Sequence, residues 1–146
     1  MRRSKVRTKD KPVITITREA FGQNKVVYFL VANKPMIYQL KRSRIIYIGT
    51  SKNGASRIGQ SVIGRGEPAL GKRGVDKIEA HVTMCRPRQG VEIWKKLESA
   101  FVLAFRREYG EVPVYNTKLK KKLPTDEFDY FKETRLVEIL SKYDKK

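Results

Sequence analysis

A chain of 146 residues with 40% hydrophobic content suits one globular domain with a single core and excludes a disordered polymer. Its 33 Lys and Arg against 15 Asp and Glu give a formal net charge of +18, beyond the ~2–8 that solubility asks of a small domain, so a polyanion is the expected partner: nucleic acid first, an acidic membrane surface second. Cys85 is the only cysteine, which excludes an internal disulfide and a Cys-x-x-Cys zinc site; no apolar stretch approaches the ~20 residues of a membrane span and no apolar run follows the charged N-terminus, so a cytoplasmic protein is expected.

Residues 1–12 form a basic arm. Val13-Ile14-Thr15-Ile16-Thr17 is a β-branched, alternating run and predicts a short strand. Phe21 to Lys25 reads as a turn. Val26 to Ala32 is continuously apolar, as in a strand buried on both faces, and Asn33-Lys34-Pro35 breaks it. Residues 36–44 read as a loop or hairpin rim. Ile45-Ile46-Tyr47-Ile48 is a second buried strand, stopped by Gly49. Thr50 to Gly54 supplies turn and cap chemistry, and a short helix follows through Arg57, Ile58 and Val62. Residues 64–74, with Gly64, Gly66, Gly71 and Gly74 beside Arg65, Lys72 and Arg73, read as a flexible basic loop. Ile78, Ala80, Val82 and Met84 alternate with polar neighbours and predict a third strand with one apolar face.

Val91 to Tyr109 is the best helix in the sequence: Trp94, Leu97, Phe101, Ala104 and Phe105 recur at three- and four-residue steps, and Gly110 is a C-cap signal. Lys118 to Lys122 is a basic patch. Pro124 to Glu127 reads as a helix start, and Phe128, Phe131, Leu136, Ile139, Leu140 and Tyr143 give a final helix its apolar stripe. The expected fold is α/β: a small, mainly antiparallel sheet flanked by helices. Its divisions are the arm 1–12, a domain over 13–119, and a basic linker with a packed C-terminal helix over 120–146.

Glu98 is the anomaly in this pattern. At about 100° per residue it falls beside Trp94 and Phe101, inside the apolar stripe. A buried carboxylate needs compensation, which a divalent cation or an arginine supplies. The alternative is a carboxylate at the stripe's margin, reaching water or pairing with Lys95 or Arg57.

Taken in order, Val26-Val27-Tyr28, Tyr47-Ile48-Gly49, Arg57, Leu97-Glu98-Ser99-Ala100-Phe101 and Pro113-Val114-Tyr115-Asn116 resemble the elements of the GIY-YIG endonucleases. The resemblance spans roughly residues 25 to 117. The second tyrosine motif is intact; the first keeps its tyrosine and loses its glycine, and the spacer between them is longer than in many members. That length suggests an extended, DNA-contacting hairpin bearing Lys41, Arg42 and Arg44.

The resemblance implies a GIY-YIG-like domain that hydrolyses phosphodiester bonds of DNA, with RNA kept open as a substrate. It implies a single Mg²⁺ or Mn²⁺ held by Glu98, a hard cation on an oxygen ligand. Arg57 would hold the scissile phosphate, Tyr28 would position or deprotonate the attacking water, Tyr47 would line the site, and Asn116 would orient its neighbours. His81, the only histidine, is a weaker candidate for the base. Ser51, Lys52 and Asn53 are candidates for phosphate contacts. Lys52, Arg65, Lys72, Arg73, Lys120, Lys121 and Lys122 are expected to track the backbone. Two other classes compete: a non-catalytic nucleic-acid-binding protein on the same scaffold, and a small structural protein of a ribonucleoprotein. The sequence leaves the oligomeric state open.

Overall fold

The structure is a computed structural model that describes residues 3–116 and 127–144. A hairpin of β1 (Val26–Ile37) and β2 (Arg42–Ser51) leads to α1 (Ala55–Ser61), a π-helical turn Val62–Gly66 and a 3₁₀ turn Glu67–Ala69. Then come β3 (Ile78–Thr83), α2 (Ile93–Tyr109), α3 (Glu127–Tyr130) and α4 (Glu133–Ser141). Both β2 and β3 pair antiparallel with β1, giving one three-stranded sheet of order β2-β1-β3. This is the small α/β architecture expected.

The central place of β1 follows from its sequence. No side chain from Val26 to Ala32 is more than 1% exposed, which only a middle strand covered on both faces permits. Register then sorts the residues. Tyr28 lies between Gly49 and Val82, and Leu30 between Tyr47 and Ala80, so these share one face. Phe29 lies between Ile48 and His81 on the other. Phe101 of α2 meets Phe29 edge-on at 5.0 Å, and Tyr143, after α4, meets it at 5.8 Å. Helices α2 and α4 therefore cover the Phe29 face, while α1 and the π-turn serve the Tyr28 face.

The structure corrects several expectations. Val13 to Thr17 forms no strand: Val13, Ile14 and Ile16 are 79%, 72% and 76% exposed. Asn33-Lys34-Pro35 does not end β1. The strand runs on to Ile37 through register shifts after Leu30 and Val31, and the Asn33 amide is held by Asp76 at 2.5 Å. The stretch expected to be a free basic loop begins as helical turns and buries Ala69 and Val75. Strand β3 is only half covered, with Ala80 exposed. The last helix is two, α3 and α4, separated at Phe131 and Lys132, where the backbone of Lys132 is extended. The five-residue step from Phe131 to Leu136 had already broken the helical period.

The hairpin does not project from the domain. Its turn is docked on the C-terminus of α2: the Leu40 N–H donates to the Tyr109 carbonyl at 3.0 Å, and Lys41 pairs with Glu108. Gly110, left-handed at φ 86°, ends α2 as predicted. A side chain there would lie 2.8 Å from Gln39 Cβ.

Candidate functional site

Tyr28 and Tyr47 project from neighbouring strands on one face, with ring centroids 5.9 Å apart. Gly49 makes that possible. A Cβ there would stand 2.6 Å from Tyr47 Cε1 and 2.8 Å from the Tyr28 hydroxyl, so the glycine of the Tyr-Ile-Gly motif is the floor on which both phenols rest. Burial pushes the Tyr28 hydroxyl up to about 12; Ser61 and the charge of Arg57 ease the shift, and Tyr47 adds to it. In the metal-free protein Tyr28 thus keeps its proton through the neutral range, which suits it to hold a water by hydrogen bonding. The buried Ser61 hydroxyl makes no well-aligned hydrogen bond of its own among the described residues.

Arg57 is exposed on α1, near enough to act electrostatically on Tyr28. A second arginine joins it. Arg65 lies over the Tyr47 ring at 4.5 Å and donates from Nη1 to the Tyr115 carbonyl at 3.3 Å. The π-helical turn delivers it, a local winding that often marks functional sites. Counted from sequence with the backbone-tracking cations, Arg65 is instead part of the site. Its glycine-flanked position read as loop, and nothing local announced the turn.

Asn116 has a role of its own. Its Oδ1 accepts from the Ile48 N–H at 2.9 Å and its Nδ2 donates to the Ile48 carbonyl at 2.8 Å. With the Tyr115 N–H donating to the Ile46 carbonyl at 3.0 Å, this segment pairs with the outer edge of β2 as a fourth strand would. The amide therefore fixes the backbone between Tyr47 and Gly49. Asn116→Ala leaves both Ile48 groups without their partner. It should cost about 2–3 kcal/mol in the urea-unfolding free energy, whereas an unchanged midpoint would remove the clamp from the account.

Glu98 is half-buried on α2. Arg107 of the same helix faces α4 through Glu133 at 3.2 Å. Nine residues separate Glu98 from Arg107, a rotation of about 180° at 3.6 residues per turn. Glu98 therefore lies on the flank of α2 opposite Arg107, away from its pairing with α4. His81 is on the wrong face for the tyrosines: it pairs beside Phe29, and its ring lies 5.2 Å from that of Tyr143. It is no candidate for a base acting with Tyr28.

The donor set for a metal is sparse but suitable. Among the described residues no group of three or more His, Cys, Asp or Glu gathers. A single carboxylate, Glu98, is an oxygen ligand of the kind Mg²⁺ takes while keeping most of its waters and accepting further oxygens from a phosphate.

The basic residues divide. Lys52, Lys72, Arg73 and Arg42 are exposed. Lys41 is engaged by Glu108 at the far end of the sheet, and Arg44 is half-buried, its N–H donating to the Tyr143 carbonyl and its Nε buried. Ser51 is buried, its hydroxyl spent on the Gly54 carbonyl at 2.7 Å. Lys120, Lys121 and Lys122 lie outside the described residues. No helix among the described residues is long and apolar enough to cross a membrane. Comparisons with protein-family profiles, with characterised proteins and with solved structures return no match.

Proposed function

We propose that this chain is a divalent-metal-dependent endonuclease that hydrolyses phosphodiester bonds of DNA by a single-metal mechanism of the GIY-YIG type. The observation that carries the proposal is the gathering of Tyr28, Tyr47, Arg57 and Arg65 on one face of the sheet, bordered by the β2 edge that Asn116 clamps. Glu98 is half-buried on the flank of α2 opposite Arg107. The net charge of +18 supplies attraction for the polyanion.

Hydrolysis at phosphorus needs a placed water and neutralisation of the charge that builds on the phosphoryl oxygens. Arg57 meets the second need with a planar donor fork that fits a phosphate. Arg65, one donor already spent on Tyr115, holds the Tyr47 ring in place and offers its remaining N–H groups to the same anion. Tyr28 and Tyr47 hold the water. A Mg²⁺ or Mn²⁺ on Glu98 would add Lewis-acid neutralisation at the phosphate.

Arg57→Ala should slow plasmid cutting by about 10²–10³-fold, and Arg57→Lys should recover only part of that, since a point charge lacks the fork. Full recovery by lysine would reduce Arg57 to a source of attraction. A non-catalytic binding protein on the same scaffold would hold DNA equally well and cut it in no metal.

A further inference from the structure

A cavity lies at the end of the sheet where β1 begins, and nothing in the proposed chemistry uses it. Its volume is about 430 Å³, within the size range of small-ligand sites. Gln23, Asn24, Lys25, Met84, Arg88 and Trp94 give it its character. The floor is apolar and aromatic, the rim carries two cations and two amides, and no acidic residue lines it. Glu92, the nearest carboxylate in sequence, is paired with Lys95 at 2.7 Å.

Lys25 is held in an unusual way. Its backbone is left-handed at φ 56°, a conformation that costs a non-glycine residue free energy and collects at ligand sites. Its ammonium lies 5.0 Å from the centre of the Trp94 ring. The strained backbone thus places a cation over an aromatic floor at the mouth of a cavity.

We infer that this cavity is a subsite for one unpaired nucleotide of a nucleic acid. Lys25 covers the Trp94 ring, so the face of a base lies against exposed Met84 beside it, amides meet the edge of a base, and the two cations meet the flanking phosphates. A duplex offers none of its base faces to such a cavity. Lys25 directly precedes β1, three residues before Tyr28 and about 10 Å from it at 3.3 Å per residue, and Trp94 of α2 sets the cavity on the Phe29 face of the sheet, opposite the tyrosines. A strand leaving the tyrosines would turn around the sheet end past Lys52, whose carbonyl accepts from the Lys25 N–H at 3.2 Å. The subsite thus confers a preference for substrates with a single-stranded segment next to the cut. It goes beyond the nuclease proposal, because it needs binding and not turnover.

Trp94 is the only tryptophan in the chain, so its emission reports this cavity directly. With EDTA present to prevent cutting, the full chain is titrated with a twelve-nucleotide oligo-dT, with a blunt duplex of equal charge, and with inorganic polyphosphate. The single strand should change Trp94 emission at saturation, and the duplex and polyphosphate should bind without doing so. Lys25→Gly, Gln23→Ala and Met84→Ala alter exposed positions; each should weaken single-strand affinity by about five- to tenfold and leave duplex affinity unchanged. The same emission change with polyphosphate, or single-strand binding that leaves Trp94 silent, would overturn the subsite. Either result leaves metal-dependent plasmid cutting to stand or fall separately.

Discussion

Glu98→Ala is expected to cut DNA at least about a thousandfold more slowly than the native chain while binding it as tightly or tighter. The expectation rests on the place of Glu98. It occupies a sector of α2 otherwise filled by Trp94, Phe101, Phe105 and Tyr109, all buried, yet it is itself half-buried and turned away from Arg107 and its pairing with α4. An alanine fits that sector of the helix without strain, so the fold should persist. Removing a carboxylate also raises the net charge from +18 to +19, which favours binding. Gel-shift affinity in EDTA and cutting in Mg²⁺, measured on the same preparation, separate the two effects. Equal losses of binding and cutting would make Glu98 a structural residue.

Gly49→Ala is expected to destabilise the fold by about 2–3 kcal/mol and to abolish cutting together with it. The added methyl would meet Tyr47 Cε1 at 2.6 Å, the Tyr28 hydroxyl at 2.8 Å and Tyr28 Cζ at 2.9 Å. Tyr28 is 1% exposed and has nowhere to retreat. Because one of the three contacts is with the hydroxyl oxygen, Tyr28→Phe should relieve part of the cost. A double-mutant cycle on the urea-unfolding free energies should then give a favourable coupling of about 1 kcal/mol. Strict additivity would mean that the methyl is accommodated by movement of the strand instead of the rings.

The sequence carried the parts of this fold that depend on local pattern. The apolar run Val26 to Ala32, the stripe up to Tyr109 and the cap at Gly110 each state a burial or a backbone requirement in a few residues, and each forms, although the helix begins at Ile93 and not at Val91. Tyr47-Ile48-Gly49 was legible too, and the structure supplies its physical reason in the two phenols above the glycine. What could not be read depends on distant partners. Val13 to Thr17 has strand composition, but β-propensity measures fit to a neighbour, and these residues have none. Pro35 ends most strands, yet here Asn33 is caught by Asp76, forty-three residues on, and β1 continues through the irregularity. Lys41 looked like a free cation until α2 brought Glu108 to it. Arg65 needed both the π-turn and the carbonyl of Tyr115, fifty residues away, to reach Tyr47.

The same division runs through the candidate site. Tyr28, Tyr47 and Arg57 come from one continuous stretch of hairpin and helix, and their meeting follows from antiparallel register. Asn116 closes from far along the chain onto Ile48, and only the paired hydrogen bonds reveal it as a clamp on the strand between the catalytic candidates. His81 illustrates the reverse. Its residue type suits a base, but the period-two alternation of β3 turns it to the face that Tyr143 covers.

Incubating the purified chain with supercoiled plasmid in Mg²⁺, in Mn²⁺ and in EDTA, beside Glu98→Ala, decides whether the chain is a metal-dependent nuclease. Nicked or linear plasmid is expected with either metal, intact plasmid in EDTA, and intact plasmid with the variant in every condition. Plasmid that stays supercoiled in both metals although the chain binds it, or cutting by Glu98→Ala at the native rate, would contradict the proposed function.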